Sequence, residues 1–217
     1  MTDKQNMRLA LLILQHGDLE KAKAAEAFVV GNDEAQAESS QLSDGIYLVK
    51  ADGSCELFNG KNEKTGWVGV AVKLGSKAVT VALHDAADGD DITLTTADDK
   101  TGWDGYKDTY LDATADWDGQ GNTKHLQEIG LNAAIVLQPG QYIPSVGEMK
   151  LVQLFRKELN EALAYIGADE IADEWYWTST ECSANGAWTL GLYTGTMGYF
   201  TKASSKSRVR PVSAFIS

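Results

Sequence analysis

The stretch that decides the fold runs Trp175-Tyr176-Trp177-Thr178-Ser179-Thr180-Glu181, continues through Ala187-Trp188-Thr189-Leu190-Gly191-Leu192-Tyr193, and closes on Arg208-Val209-Arg210-Pro211-Val212-Ser213-Ala214-Phe215. From Tyr176 onward the apolar period is two, the period of a strand. Trp188, Leu190 and Leu192 therefore turn to one side, and Thr189, Gly191 and Tyr193 to the other. Between Tyr193 and Ser207 the composition changes to Thr, Ser, Gly, Tyr, Phe and Met. Antibody recognition loops use this mixture, since rigid amphipathic rings supply contact area and small hydroxyl residues supply adaptable hydrogen bonds. Such a segment suits a binding surface better than a catalytic centre.

Upstream of this stretch the period lengthens. Thr123 to Asn132 places Leu126, Ile129 and Ala133 on one helical face, with Asn122 or Thr123 as the cap. Ser145 to Ile166 reads as one long amphipathic helix whose apolar positions are Met149, Val152, Phe155, Leu159, Leu163 and Ile166. It opens on Ser145-Val146-Gly147-Glu148, a capping box in which each side chain satisfies a backbone N–H of the other. Further upstream come strand signals. Gly45-Ile46-Tyr47-Leu48-Val49 and Cys55-Glu56-Leu57-Phe58 flank an Asp52-Gly53 turn, and Trp67 to Val72 pairs with Lys77 to Leu83 across Leu74-Gly75-Ser76. Ile92-Thr93-Leu94-Thr95 adds a short strand.

At the start of the chain, Lys4 to Phe28 carries Met7, Leu11 and Leu14 at helical spacing, and Gly31 to Ser43 is a polar linker. Residues 1–42 thus read as a short helical segment with its linker, and 43–217 as one domain. The apolar run Leu9 to Leu14 is too short for a signal-peptide core or a membrane span. We expect synthesis in the cytoplasm without an export signal, with virion association as one outcome, and the first helix as a means of oligomer or particle attachment.

The chain has 217 residues, 43% of them hydrophobic, enough for one domain with a substantial core. Nineteen Lys and Arg against 31 Asp and Glu give a net charge of −12, a surface that repels phosphate backbones and excludes nucleic acid as the expected partner. Cys55 and Cys182 lie far apart and read as free thiols. Each histidine has a carboxylate nearby in sequence: His16 with Glu20, His84 with Asp88, His125 with Glu128. Two ligands make no metal motif, so the expected roles are structural or solvated. Asp116, Asp118, Gln120 and Gly121 match the opening of a calcium loop, but Gln127 stands where the bidentate Glu belongs. The reading is an acidic loop or helix cap with no cofactor, calcium being the alternative. Glu148, Glu181, Arg208 and Arg210 lie in apolar surroundings, and a buried Arg–Glu pair fixing register is the expected arrangement.

Several ordered motifs resemble a known family. Asp116-Trp117-Asp118-Gly119 with Asn122-Thr123, Tyr142-Ile143-Pro144-Ser145-Val146-Gly147-Glu148, Tyr176-Trp177-Thr178-Ser179-Thr180-Glu181, Ala187-Trp188 and Val209-Arg210-Pro211-Val212-Ser213-Ala214-Phe215 resemble the C-type-lectin-like domains of bacterial and phage proteins. That family includes the variable proteins of diversity-generating retroelements. The resemblance spans about residues 65 to 217. It implies an α+β, C-type-lectin-like fold in which two helices flank small antiparallel sheets, the last strand returning beside Val79 to Leu83. It also implies a scaffold of Trp177, Glu181, Trp188 and Arg210, and a ligand-binding segment of about 175 to 215. The outward residues would be Thr189, Gly191, Tyr193, Thr194, Thr196, Met197, Tyr199, Phe200, Thr201, Ser204 and Ser205. The function implied is non-enzymatic adhesion to a protein or glycan receptor, as in a phage or prophage receptor-binding protein, without membrane insertion. Two alternatives stand beside it: an enzyme of the formylglycine-generating type using Cys182, and a structural assembly protein. Formylglycine-generating enzymes use reactive cysteines in their C-terminal region, where this chain has Cys182 alone.

Overall fold

In the computed structural model the described residues are 42–215; the expected N-terminal helices, and any docking role for them, lie outside that range. The first expected hairpin is present as β1 (Gly45–Lys50) and β2 (Cys55–Leu57), in the register Tyr47↔Leu57 to Val49↔Cys55. The second is β3 (Trp67–Leu74) and β4 (Lys77–Ala82), turned at Gly75 with φ 59°. Their near-continuous Val- and Ala-rich runs suit a sheet packed on both faces. Gly69 of β3 is required by close approach, since a Cβ there would lie 2.6 Å from the Thr80 side chain and 2.8 Å from the Val81 carbonyl.

Four helices follow in two groups. α1 (Tyr110–Ala115) and α2 (Gly119–Ile129) precede the two-residue β5 (Gln141–Tyr142); α3 (Val146–Leu154) and α4 (Arg156–Tyr165) come after it. A second antiparallel sheet is built from β6 (Trp175–Ser183), β7 (Gly186–Gly191) and β8 (Thr196–Thr201), with β7 in the middle. The closing strand β9 (Val212–Ser213) pairs with β4 through Thr80↔Ser213 and Val81↔Val212, and with β5 through Tyr142↔Val212. The large sheet thus has the order β2-β1-β3-β4-β9-β5.

This architecture corrects the expected C-type-lectin-like fold. Among the described residues there are four α-helices and two open sheets of six and three strands, where two helices and small sheets were expected. The differences have local causes. α1 is too short to show an apolar stripe, and it forms because the Thr109 hydroxyl accepts the Asp112 N–H at 3.1 Å. The expected helix from Ser145 to Ile166 is two, because Phe155 leaves helical geometry (φ −110°, ψ 17°). Its buried ring still serves the common core, so each half keeps an apolar face inward. α2 starts earlier than Thr123, since the Asp118 carboxylate caps it by accepting the Gly121 N–H at 2.9 Å. Ile92 to Thr95 forms only isolated bridges, to Ser207 and to Leu131.

The small sheet separates two cores. Tyr176, Trp188, Leu190 and Leu192 join Leu48, Val70, Val72, Val79 and Val81 of the large sheet, with Met149, Val152, Leu159 and Leu163 of the helices among them. Trp177 and Ala187 face the other way, into a second core with Leu94, Leu126, Ile143 and Val209. β7 is consequently buried along its whole length on both faces.

Candidate functional site

The sequence motifs from Asp116 to Glu148 and around Asp85 build the frame beneath the site. Asp116 accepts Asn122 Nδ2 at 2.7 Å and Thr180 Oγ1 at 2.6 Å, which ties the start of α2 to β6. Thr180 Oγ1 accepts the Val146 N–H at 2.9 Å, and the Ser145–Glu148 capping box closes on it. Glu148 also accepts the Tyr142 hydroxyl at 2.8 Å, and burial raises the pKa of both groups. Asp116 and Asp118 thus serve the fold as tie and helix cap, the acidic-loop role expected of them.

Arg210 is paired, but not with the glutamate expected. Its guanidinium donates to Asp85 Oδ1 at 3.1 Å and to the Asp169 carbonyl at 2.8 Å. The Tyr176 hydroxyl donates to Asp85 Oδ2 at 2.8 Å, and burial raises the pKa of that phenol. Asp85 precedes a turn in which Ala87 and Asp88 hold φ of 53° and 52°, a conformation that side-chain-bearing residues adopt at a cost. Arg208 adds a longer contact to Asp85 Oδ2 at 3.4 Å, and the three donors converging on Asp85 hold that turn in place.

On this frame the β7–β8 hairpin presents the segment whose composition suggested binding. Its residues divide. Tyr193 is 75% exposed and Tyr199 65%, and Thr194, Thr196, Thr201 and Ser204 are also exposed, with Ser205 half-buried. Thr189, Gly191 and Met197 do not point outward. Thr189 is buried with its hydroxyl donating to the Gly198 carbonyl at 3.2 Å, and Gly191 lies under the Trp175 ring. Met197 is buried beneath α1. Phe200 is half-buried between Trp175 and Trp177, at 5.5 and 6.2 Å between ring centroids. Alternation predicts an outward face only where one side of a strand meets water, and both sides of β7 are covered.

The structure adds residues that the sequence did not mark. Tyr110, 58% exposed, packs edge-on against buried Trp188 at 5.0 Å, and its hydroxyl donates to the Met197 carbonyl at 2.9 Å. Tyr199 packs on the same indole at 5.6 Å. Two exposed tyrosines, with Leu111 equally exposed beside Tyr110, therefore stand on one buried ring. The Trp188 indole N–H donates to the Lys107 carbonyl at 2.6 Å, which fixes the loop leading into α1. Beside Tyr199 lies an open pocket of about 360 Å³, lined by Asp108, Cys182, Ser183, Asn185, Gly186, Phe200 and Thr201. Cys182 and Cys55 are free thiols, and burial raises the pKa of each.

At the same end of the small sheet, residues distant in sequence form a charged cluster. Asp99 lies on the loop after Thr95, His125 on α2, Glu181 on β6, and Lys202 just beyond β8. The Lys202 ammonium donates to Glu181 Oε1, and both side chains are fully buried. Asp99 Oδ1 accepts the Thr101 N–H at 2.7 Å, and Oδ2 accepts the Tyr106 hydroxyl at 2.6 Å. Burial alone would raise the Asp99 pKa, but the hydrogen bonds from Tyr106, Thr101 and His125 outweigh it and hold the carboxyl well below its usual range. Burial raises Glu181 instead. His125 therefore pairs with carboxylates 26 and 56 positions away, not with Glu128; His84 meets Asp169 at 2.8 Å, not Asp88. No periodicity signals contacts at those separations.

The fold is similar to that of a fimbrial protein from Bacteroides ovatus. The superposition has a TM-score of 0.55 at 14% identity and covers 79% of this chain and 48% of that one. The chain thus spans about half the length of that structure. No protein-family profile matches the sequence, and no curated protein matches it. Among the described residues no helix is long and apolar enough to cross a membrane.

Proposed function

We propose that this protein is a non-enzymatic binding module that engages a protein or glycan receptor through a ridge of Tyr110 and Tyr199 and the pocket beside it, with Tyr193 exposed on the β7–β8 turn. The observation that carries this reading is the pair of exposed tyrosines anchored on the buried Trp188 indole. Exposed aromatic rings whose positions are already fixed lose little entropy on binding, and Tyr is among the residues enriched at energetic centres of interfaces. Thr194, Thr196 and Thr201 supply hydroxyls around them. The likeness to a fimbrial protein supports an adhesive role at a cell surface or appendage over attachment to a phage particle. The net charge of −12 favours a receptor that is neutral or basic.

The Cys182 enzyme reading has less support. A nucleophilic or copper-binding thiol needs an environment that favours thiolate, whereas burial disfavours it here. The test is a glycan array together with binding to whole bacterial and host cells, comparing wild type with Tyr110→Ser/Tyr193→Ser/Tyr199→Ser. Binding by the wild type that the triple variant loses while it remains folded supports the ridge. Retention of the full signal by the variant places recognition elsewhere.

A further inference from the structure

We infer that Asp99, His125 and Glu181 form a binding site for a first-row divalent metal ion of the Zn²⁺ type. His125 Nε2 lies 3.2 Å from Asp99 Oδ2 and 3.4 Å from Glu181 Oε2, and the three atoms are all within 4.8 Å of one another. Ligands at Zn–N and Zn–O distances of about 2.0–2.2 Å in a tetrahedron stand roughly 3.3–3.5 Å apart. Two of the three edges therefore already have the length the ion requires, and the third lies within 4.8 Å.

A second observation, independent of the clustering, points to a ligand. Glu181 Oε2 is buried and has no hydrogen-bond partner, although it faces the imidazole. A buried carboxylate oxygen left without a donor is costly, and a cation at this position satisfies it. The surroundings resemble an outer shell. Lys202 occupies Glu181 Oε1, which fixes Oε2 as the oxygen that faces His125. Tyr106 donates to Asp99 Oδ2, and Trp103 stacks on the imidazole at 4.1 Å with 19° between the planes. Outer-shell partners of this kind orient ligands and tune their basicity.

The charge and ligand types select the class of ion. With neutral His125, two carboxylates and one ammonium leave a single net negative charge in a site whose imidazole is 10% exposed. Imidazole with two carboxylates suits Zn²⁺ and its first-row neighbours, whereas Ca²⁺ takes six to eight oxygens. Three protein ligands leave the fourth tetrahedral position for water.

The experiment uses full-length protein dialysed against EDTA, titrated with ZnCl₂ by calorimetry, and with CoCl₂ by visible absorption. One equivalent of Zn²⁺ should bind, the Tm should rise, and Co²⁺ should give the intense visible bands of a tetrahedral site. Trp103 fluorescence should change in step with occupancy. His125→Gln should abolish stoichiometric uptake, and Tyr106→Phe should weaken it about 10–100-fold as an outer-shell change. If His125→Gln fails to fold, the Co²⁺ spectrum of wild type still decides. No stoichiometric uptake by wild type, or uptake unchanged in either variant, overturns the assignment.

Discussion

The two sheets carry central strands that are both covered on two sides, yet they are filled differently. β3 and β4 of the large sheet bury Val, Ala and Leu against α3 and α4. The small sheet buries Trp177 and Trp188 together with Thr178, Ser179, Thr180, Glu181 and Thr189, and the Lys202 and Arg210 side chains reach buried partners next to it. The contrast separates two ways of specifying a fold. Apolar burial in the large sheet is tolerant of exchange at constant volume. The buried polar groups beside the small sheet each need one particular partner, so they fix the strand positions from which the tyrosine ridge projects.

The largest test of that contrast is Arg210→Ala. It leaves the buried Oδ1 of Asp85 without its donor, while Tyr176 and Arg208 remain on Oδ2, and should cost about 3–5 kcal/mol in urea unfolding. The double variant Asp85→Leu/Arg210→Met should recover only part of this loss, because the Tyr176 hydroxyl and Arg208 then lose their acceptor. Leu48→Ala in the large sheet should cost about 2–4 kcal/mol, the loss expected from cavity formation. A smaller effect for Arg210→Ala than for Leu48→Ala would break the comparison. Ser145→Ala removes one side of the capping box and should cost about 1 kcal/mol.

On the ridge, Tyr199→Ser should cost about 0.5–1.5 kcal/mol, the worth of its edge-on contact with Trp188, because the rest of the phenol projects into solvent. A loss comparable to that of Leu48→Ala would make Tyr199 part of the core. The smallest effect concerns Cys182. Burial raises its thiol pKa, so the thiolate fraction at neutral pH is below that of a free cysteine. Iodoacetamide should label it more slowly than a free thiol, with the rate still rising at higher pH than for the free thiol. Labelling faster than a free cysteine would revive the enzyme reading.

Much of the local structure was legible in the sequence. Both hairpins of the large sheet follow from β-branched runs around Asp52-Gly53 and Gly75, and the capping box at Ser145 and Glu148 forms as its spacing requires. The motif resemblance located the return of the chain beside β4, and it placed Trp177, Glu181, Trp188 and Arg210 among the buried frame residues. It misled on the number of helices and the size of the sheets. A six-residue helix has no period to read, and the break at Phe155 keeps the apolar spacing unbroken. The outward set came from the motif resemblance, with alternation behind Thr189, Gly191 and Tyr193; Tyr193 and Tyr199 are exposed, whereas Thr189, Gly191 and Met197 are buried. The covering groups, Trp175 and α1, come from elsewhere in the chain.

By itself the sequence determined the strand and helix periods, the turn and cap chemistry, and the recognition-type composition of Tyr193 to Ser207, because these depend on neighbours within a few residues. Only the tertiary structure decided which tyrosines stand on Trp188, that Asp85 is the partner of Arg210, and that Asp99 and Glu181 meet at His125. Those pairings join elements up to 125 positions apart. They are set by how the sheets and helices of the described residues share their cores, and no local pattern encodes that division of space.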